Sequence, residues 1–227
     1  MPILDVQAVK KSYISPDGVR TTIVDVPEFA MEEGQHVALA GTSGSGKTTL
    51  LNLIAGILVA DAGDIFVNGE NVTEASETKR DAIRANHIGY IFQTFNLLQG
   101  YTALENVELG MMFGRGKDPD YAKALLDRVG LSDRMDYRPR QLSVGQQQRV
   151  AVARALANHP KLVLADEPTG NLDHRLAHDA MELVREICAE NKAALLLVTH
   201  DREMLELFED CRELADINVA VQLEPGQ

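Results

Sequence analysis

Between residues 41 and 48 the chain reads Gly-Thr-Ser-Gly-Ser-Gly-Lys-Thr, a spacing of glycines ahead of a lysine and a hydroxyl that suits phosphate binding. Glycines at 41, 44 and 46 let the backbone curl until successive N–H groups point inward, where a side chain would obstruct the oxygens. A helix beginning at Lys47 aims its positive dipole end at the same place. The Lys47 ammonium suits the β- and γ-phosphates, and the Thr48 hydroxyl is a ligand for Mg²⁺. The expected contacts are therefore Gly41, Thr42, Ser43, Gly44, Ser45, Gly46, Lys47, Thr48 and Thr49. A second piece of chemistry lies far along the chain, where the apolar run Leu162-Val-Leu-Ala ends in Asp166 and Glu167. A buried strand there delivers Asp166 to the sheet edge as a direct or indirect partner of Mg²⁺, and Glu167 to the place of a general base for an attacking water. Alone, two carboxylates at a strand end say little; beside Lys47 they complete a nucleoside-triphosphate site.

The elements that must position these groups are legible in outline. Short β-rich runs occupy 3–9, 21–26, 36–40 and 64–67, punctuated by Pro16-Asp17-Gly18, Glu33-Gly34 and the hairpin signal Asn68-Gly69. An apolar helix is expected over 47–58, and helical periodicity over 103–158 with one break at Gly114-Arg115-Gly116. Fully apolar strands at 162–165 and 194–199 flank an amphipathic helix at 175–190. Apolar strands alternating with helices imply a parallel sheet covered on both faces. Nothing marks a linker or repeat, so residues 1–227 are expected to form one unit with an inserted helical part.

Composition sets the outer limits. The chain has 227 residues, 45% hydrophobic and 25% charged, which is ordinary for a globular protein and excludes a disordered class. Its 22 basic and 34 acidic residues leave a net charge of −12, which argues against nucleic acid as a partner. Two cysteines, Cys188 and Cys211, suit a reducing compartment, and Cys188 falls on the apolar stripe of the 175–190 helix. No run approaches the ~18 apolar residues needed to span a bilayer. The start Met1-Pro2-Ile3-Leu4-Asp5 lacks a signal-peptide pattern. A cytoplasmic location without direct membrane insertion is expected.

Several further motifs give the pattern a family. Leu142-Ser-Val-Gly-Gln-Gln-Gln-Arg149 resembles the ABC signature, Gln93 in Tyr90-Ile-Phe-Gln-Thr-Phe-Asn-Leu-Leu98 resembles the Q-loop, and Asn171-Leu-Asp173 resembles the D-loop. His200, after a buried strand, resembles the switch histidine, and Tyr13 sits where the family places an aromatic on adenine, though it could instead cap a β-subdomain. The chain is similar over nearly its whole length to the ATP-binding subunits of ABC transporters. The resemblance implies an α/β fold: a P-loop NTPase (RecA-like) core, an N-terminal antiparallel β-subdomain, and an α-helical subdomain inserted at about 94–155. It implies ATP and Mg²⁺, the ion held by Thr48, Gln93 and Asp166. It also implies a homodimer that pairs head to tail on ATP. Ser143, Gly145 and Gln146 of one copy would meet the phosphates held by the other, with Asp173 lining the seam. Glu167, His200, Lys47 and Gln93 would carry out the hydrolysis.

The signature departs from the usual Leu-Ser-Gly-Gly-Gln at Val144. A β-branched residue resists positive φ, so the loop must be in an allowed region there. The segment 88–107, with Ala165-Asp-Glu-Pro-Thr-Gly-Asn-Leu-Asp173, is similar to the bacterial subgroup of lipoprotein-release and macrolide-export ATPases. That similarity implies separate integral-membrane permease subunits and a peripheral position on the inner face of the cytoplasmic membrane. A cell-division ATPase of the same subgroup is the alternative. A soluble ABC ATPase of DNA repair or translation fits poorly, because the coiled-coil or zinc insertions and tandem units of those proteins are missing. His174 and His178, at i and i+4, read as exposed helix residues rather than zinc ligands. Phe92, Phe95 and Leu98 around Gln93 read as partly core, and their local density suggests a groove for a coupling helix of the permease.

Overall fold

The computed structural model describes residues 1–223. Strands β1 (Leu4–Ile14) and β2 (Arg20–Met31) form an antiparallel hairpin turned at Pro16-Asp17-Gly18, where Gly18 takes φ 84°. Both outrun the apolar stretches that marked them. In β1 the polar continuation keeps its ladder bonds across an irregularity at Lys11/Ser12, and side-chain polarity does not affect those bonds; β2 runs on past Pro27 through the buried Phe29 and Met31. The chain then enters β3 (His36–Ala40), curls through residues 41–46 and forms α1 (Lys47–Ile54). This helix stops short of the expected residue 58, for Gly56 turns away at φ 65° and any Cβ there would lie 2.8 Å from Val72 Cγ1. A second hairpin, β4 (Ala62–Val67) and β5 (Glu70–Asn71), turns on Asn68 and Gly69, both with positive φ as a tight hairpin requires.

Two elements have almost no signal in the sequence. Helix α2 (Glu77–His87), capped by Ser76, buries only Ile83, so its apolar stripe is one residue wide. Strand β6 (Ile88–Ile91) follows it directly and is four residues long with a central glycine. A Cβ at that glycine, Gly89, would lie 2.4 Å from the Ala155 carbonyl oxygen.

The 103–158 region is more broken than periodicity suggests. It holds α3 (Ala103–Met112), α4 (Pro119–Arg128) and α5 (Val144–Leu156). Besides the expected break at Gly114-Arg115-Gly116, Gly130 with φ 72° ends one turn, and a 3-10 turn at Pro139–Gln141 precedes α5. Each helix is capped locally: Thr102 with Glu105, Asp118, and Ser143 with Gln146 accept the orphan N–H groups.

The remainder alternates strand and helix: β7 (Leu162–Asp166), α6 (His174–Glu190), β8 (Ala194–Thr199), α7 (Arg202–Leu205), β9 (Asp210–Glu213) and α8 (Leu214–Ile217). The polar β9, also unforeseen, is an edge strand that pairs with β3 alone, so it needs no apolar run.

Two sheets result: an antiparallel one ordered β2-β1-β4-β5 and a parallel one ordered β6-β7-β8-β3-β9. Strand periodicity divides the core. Val163, Ala165, Leu195 and Leu197 face a cluster built with α3 to α6, while Leu164, Leu196, Val198 and Leu39 face α1 and the antiparallel sheet. Both faces of the parallel sheet are therefore dry along its inner strands, and water reaches it at the strand ends and along the edge strand β9. Cys188 is buried as expected, and burial pushes its thiol up to about 12.

Candidate nucleotide site

The carboxyl ends of β3, β7 and β8 bring together residues more than 150 positions apart. Gly41 leaves β3 with its N–H donating to the Thr199 carbonyl (3.3 Å), and Glu167 leaves β7 donating its N–H to Val198 (3.0 Å). Between them lies a groove of about 670 Å³ lined by Thr42, Ser43, Gly44, Gly46, Lys47, Thr48, Thr49, Gln93, Glu167, His200 and Ile23. This is the crevice outside the strand ends that a parallel α/β sheet leaves for ligands.

Within the groove the loop has little freedom. Gly44 and Gly46 take φ 82° and 94°. A Cβ on Gly46 would sit 2.8 Å from the Ile23 carbonyl oxygen, and one on Gly41 2.8 Å from Ser45 Oγ. Ser45 Oγ is buried and has no hydrogen-bond partner among the described residues. Lys47 is buried; its ammonium donates to the carbonyls of Gly41 and Thr42 at 2.8 Å each and lies 3.2 Å from Glu167 Oε1. The other Glu167 oxygen meets His200 Nδ1 at 2.8 Å. Glu167 is held at φ 42°, a left-handed conformation that aims its carboxylate between the cation and the imidazole. Thr48 donates its hydroxyl to Asp166 Oδ1 at 3.2 Å. Burial raises the Asp166 carboxyl above its usual range; the Thr48 bond opposes this, Glu167 adds to it, and Lys47 opposes it.

A neighbouring cleft of about 440 Å³ shares Gln93, Glu167 and His200 with the groove and adds Thr169, Gly170 and Asp173. Asn171 Nδ2 donates to the Gln93 carbonyl at 2.8 Å, which joins the loop after β7 to the loop after β6. Asp173 caps α6 by accepting from the Leu176 N–H at 3.1 Å.

Not every expected residue converges here. Tyr13 is 45% exposed on β1, with the Lys11 ammonium 6.0 Å from its ring centroid, and it does not line the groove. Ser143, Gly145 and Gln146 lie apart, at the tip of α5. There Ser143 Oγ accepts from the Gln146 N–H (3.3 Å), and Gln146 Oε1 from the Ser143 N–H (2.9 Å). Val144 is the first residue of that helix with ordinary helical φ, which resolves the strain its branching would otherwise bring. Phe95 packs on the core, Phe92 stacks on Tyr90 at 4.1 Å, and Leu98 is half exposed, so the three do not form one groove. His174 and His178 are exposed, paired with Glu203 and Glu182.

One positioning residue had no sequence signal. Asn218 is 1% exposed; its amide donates to the carbonyls of Ile23 (2.9 Å) and Ser45 (3.3 Å) and accepts from the Asp25 N–H (2.8 Å). It thereby ties the phosphate loop to β2. Only the fold places an asparagine 173 positions away against Ser45.

Comparison with known proteins agrees with this geometry. The profile described as ABC transporter matches residues 24–170. The chain is 41% identical over 206 residues to a lipoprotein-releasing system ATP-binding protein LolD of Pseudomonas syringae, covering 89% of this chain and 90% of that one. It is 42% identical over 223 residues to LolD 1 of Rhodopseudomonas palustris, covering 96% and 98%. Among solved structures it resembles the ATP-binding cassette MJ0796, a dimer in a post-hydrolysis state bound to ADP and Pi, with TM-score 0.85 and 34% identity over 93% and 94% of the chains. The groove, its glycine-rich cradle and these likenesses lead to one conclusion: the chain belongs to the ABC transporter family, as an ATP-binding subunit similar to those of lipoprotein-releasing systems.

Proposed function

We propose that two copies of this chain clamp ATP and hydrolyse it with Mg²⁺ to drive a separate membrane permease of the lipoprotein-releasing type. The observation that carries the proposal is the Lys47–Glu167–His200 constellation at the mouth of the glycine cradle. Lys47 is poised to exchange carbonyl contacts for phosphate oxygens, and the unpartnered Ser45 hydroxyl has donor and acceptor capacity left for the same oxygens. Glu167 is the general base; His200 orients it, and Gln93 lines the same groove. Thr48 and Asp166 present two adjacent oxygens of the kind Mg²⁺ takes alongside substrate phosphates. When bound, the ion offsets charge on the terminal phosphates. Tyr13 remains available to the adenine as an exposed ring at the hairpin edge.

Ser143, Gly145 and Gln146 cannot serve the groove of their own chain, since they lie outside it on the α5 tip. Their role requires a second copy, in line with the dimeric relative. Ser143→Arg leaves nucleotide binding to the single chain unchanged, at a local cost of about 1 kcal/mol for the lost cap. The added bulk and charge at the seam prevent ATP-dependent pairing. Sedimentation with ATP checks this, and a pair of undiminished affinity would move the seam elsewhere.

No helix among the described residues is long and apolar enough to cross a membrane, so the permease supplies the membrane location. A cleft of about 420 Å³ between α2, β6, α3 and α5 suits its cytoplasmic segment, with Phe113 80% exposed at the rim. Phe113→Glu leaves ATP binding as it is and lowers permease retention by roughly tenfold or more, the scale of an anchoring aromatic. The decisive experiment is purification of the chain from detergent-solubilised membranes of its own cell with identification of what it retains. An export permease with a large extracytoplasmic domain supports the reading. A division-complex partner supports the regulatory alternative.

A further inference from the structure

The loop that carries Gln93 is held at two points by side chains from other elements. Asn171 takes the Gln93 carbonyl (2.8 Å). Arg154 takes two more, donating from Nη2 to the Phe95 carbonyl (2.7 Å) and from Nη1 to the Asn96 carbonyl (2.6 Å). Phe95 and Asn96 are consecutive non-glycine residues at φ 42° and 51°, a backbone that L side chains rarely adopt without support. Charge-assisted bonds of this length are the strong kind, and a planar guanidinium can span two adjacent carbonyls where an ammonium acts as a point charge.

Arg154 is unusual in its own surroundings. Burial pulls its guanidinium below the ordinary value, and among the described residues no carboxylate pairs with it. A half-buried cation without an acid is costly unless hydrogen bonds satisfy it, and here the two loop carbonyls do so. What it holds is a loop, and the element it holds that loop to is α5, whose opposite end is Ser143, about 16 Å away along the helix axis. We propose that Arg154 is a positioning residue that fixes the Gln93 loop to the helix tipped by Ser143, so that contact of Gln93 with nucleotide is transmitted to the surface that closes on the second copy. This rests on the reading of Gln93 and Ser143 given above.

The test is a double-mutant cycle on steady-state ATP turnover and on nucleotide affinity. Arg154→Met keeps the apolar stem and removes the donors. Its expected effect is a kcat lowered roughly tenfold with ATP affinity and KM unchanged, the pattern of a lost transition-state arrangement rather than lost binding. Arg154→Lys, which retains the charge but loses the planar fork that spans both carbonyls, recovers only part of that loss. Gln93→Ala alone lowers kcat, but adds less than about twofold on the Arg154→Met background, because the loop is already uncoupled.

Effects of Arg154→Met and Gln93→Ala that multiply independently would overturn the proposal. So would an Arg154→Met defect lying wholly in nucleotide affinity. Gln93→Ala with no effect of its own would instead refute the reading of Gln93, so the two failures are distinguishable. Should Arg154→Met not fold, as judged by its melting curve, the acceptor side provides an independent test. Asn96→Ala disfavours the left-handed turn and lowers kcat, while Asn96→Gly keeps the turn and spares it. Equal turnover in those two variants rejects the coupling.

Discussion

Glu167→Gln slows ATP turnover by roughly 10²–10⁴, the range for loss of a general base, and leaves ATP-stabilised pairs intact. The expectation comes from two contacts. One Glu167 oxygen is 3.2 Å from the Lys47 ammonium and the other 2.8 Å from His200 Nδ1, with the side chain aimed by a left-handed backbone at φ 42°. Glutamine preserves that shape: its carbonyl oxygen can still face Lys47, and its amide can donate to an unprotonated His200 Nδ1. What disappears is the ability to accept a proton from water. In the function proposed above, binding and closure depend on the cradle and on Ser143, which the substitution does not touch. Phosphate release in a single turnover measures the first effect and sedimentation with ATP the second. Turnover within about threefold of the unaltered chain would mean that another group activates the water.

Lys47→Ala weakens ATP binding by roughly 10²–10³, since truncating one partner of a buried, hydrogen-bonded charge pair across a binding contact costs about 2–5 kcal/mol and each 1.4 kcal/mol is tenfold. Lys47 is 5% exposed, and its ammonium faces two loop carbonyls, Glu167 and the space that phosphate enters. Alanine removes the cation that would neutralise the incoming phosphates and also leaves Glu167 Oε1 without its ion pair. Both changes make the groove more negative at the moment a polyanion must enter it. Fluorescence titration with a labelled nucleotide reads the loss, and a melting curve shows that the fold persists. Affinity within about twofold of the unaltered chain would take Lys47 out of phosphate binding altogether.

The two substitutions separate what the site does. One removes the grip on substrate and the other spares the grip while removing the proton acceptor. Because Lys47 and Glu167 touch, their effects are coupled, and the double variant should cost less than the product of the two. That comparison needs single-turnover conditions at saturating ATP, where weak binding does not mask the chemical step.

The chemistry and most of the frame are legible in residue order alone. The glycine spacing before Lys47 stands out because backbone curvature, phosphate approach and dipole each require a residue type at a set offset, and all of them lie within eight positions. The apolar runs 162–165 and 194–199 announced β7 and β8 almost to the residue, because strands covered on both faces carry apolar side chains up to their carboxyl ends. Val144 could be placed in an allowed conformation from its branching alone.

Packing in three dimensions settled whatever depends on partners distant along the chain. The extension of β1 and the polar edge strand β9 are held by ladder bonds, which leave no trace in side-chain pattern. Short β6 is fixed by its pairing with β7 and packing on α5, and nearly stripe-free α2 by its contact with β6 and the Arg84 bond to the Ala55 carbonyl, rather than by their own periodicity. The His200–Glu167 contact, the Asn218 brace under the phosphate loop, and the Arg154 hold on two carbonyls join residues separated by 33 to 195 positions. Hydrogen bonds of that kind are satisfied by whatever polar group the fold brings near, so no local rule of spacing can foretell them.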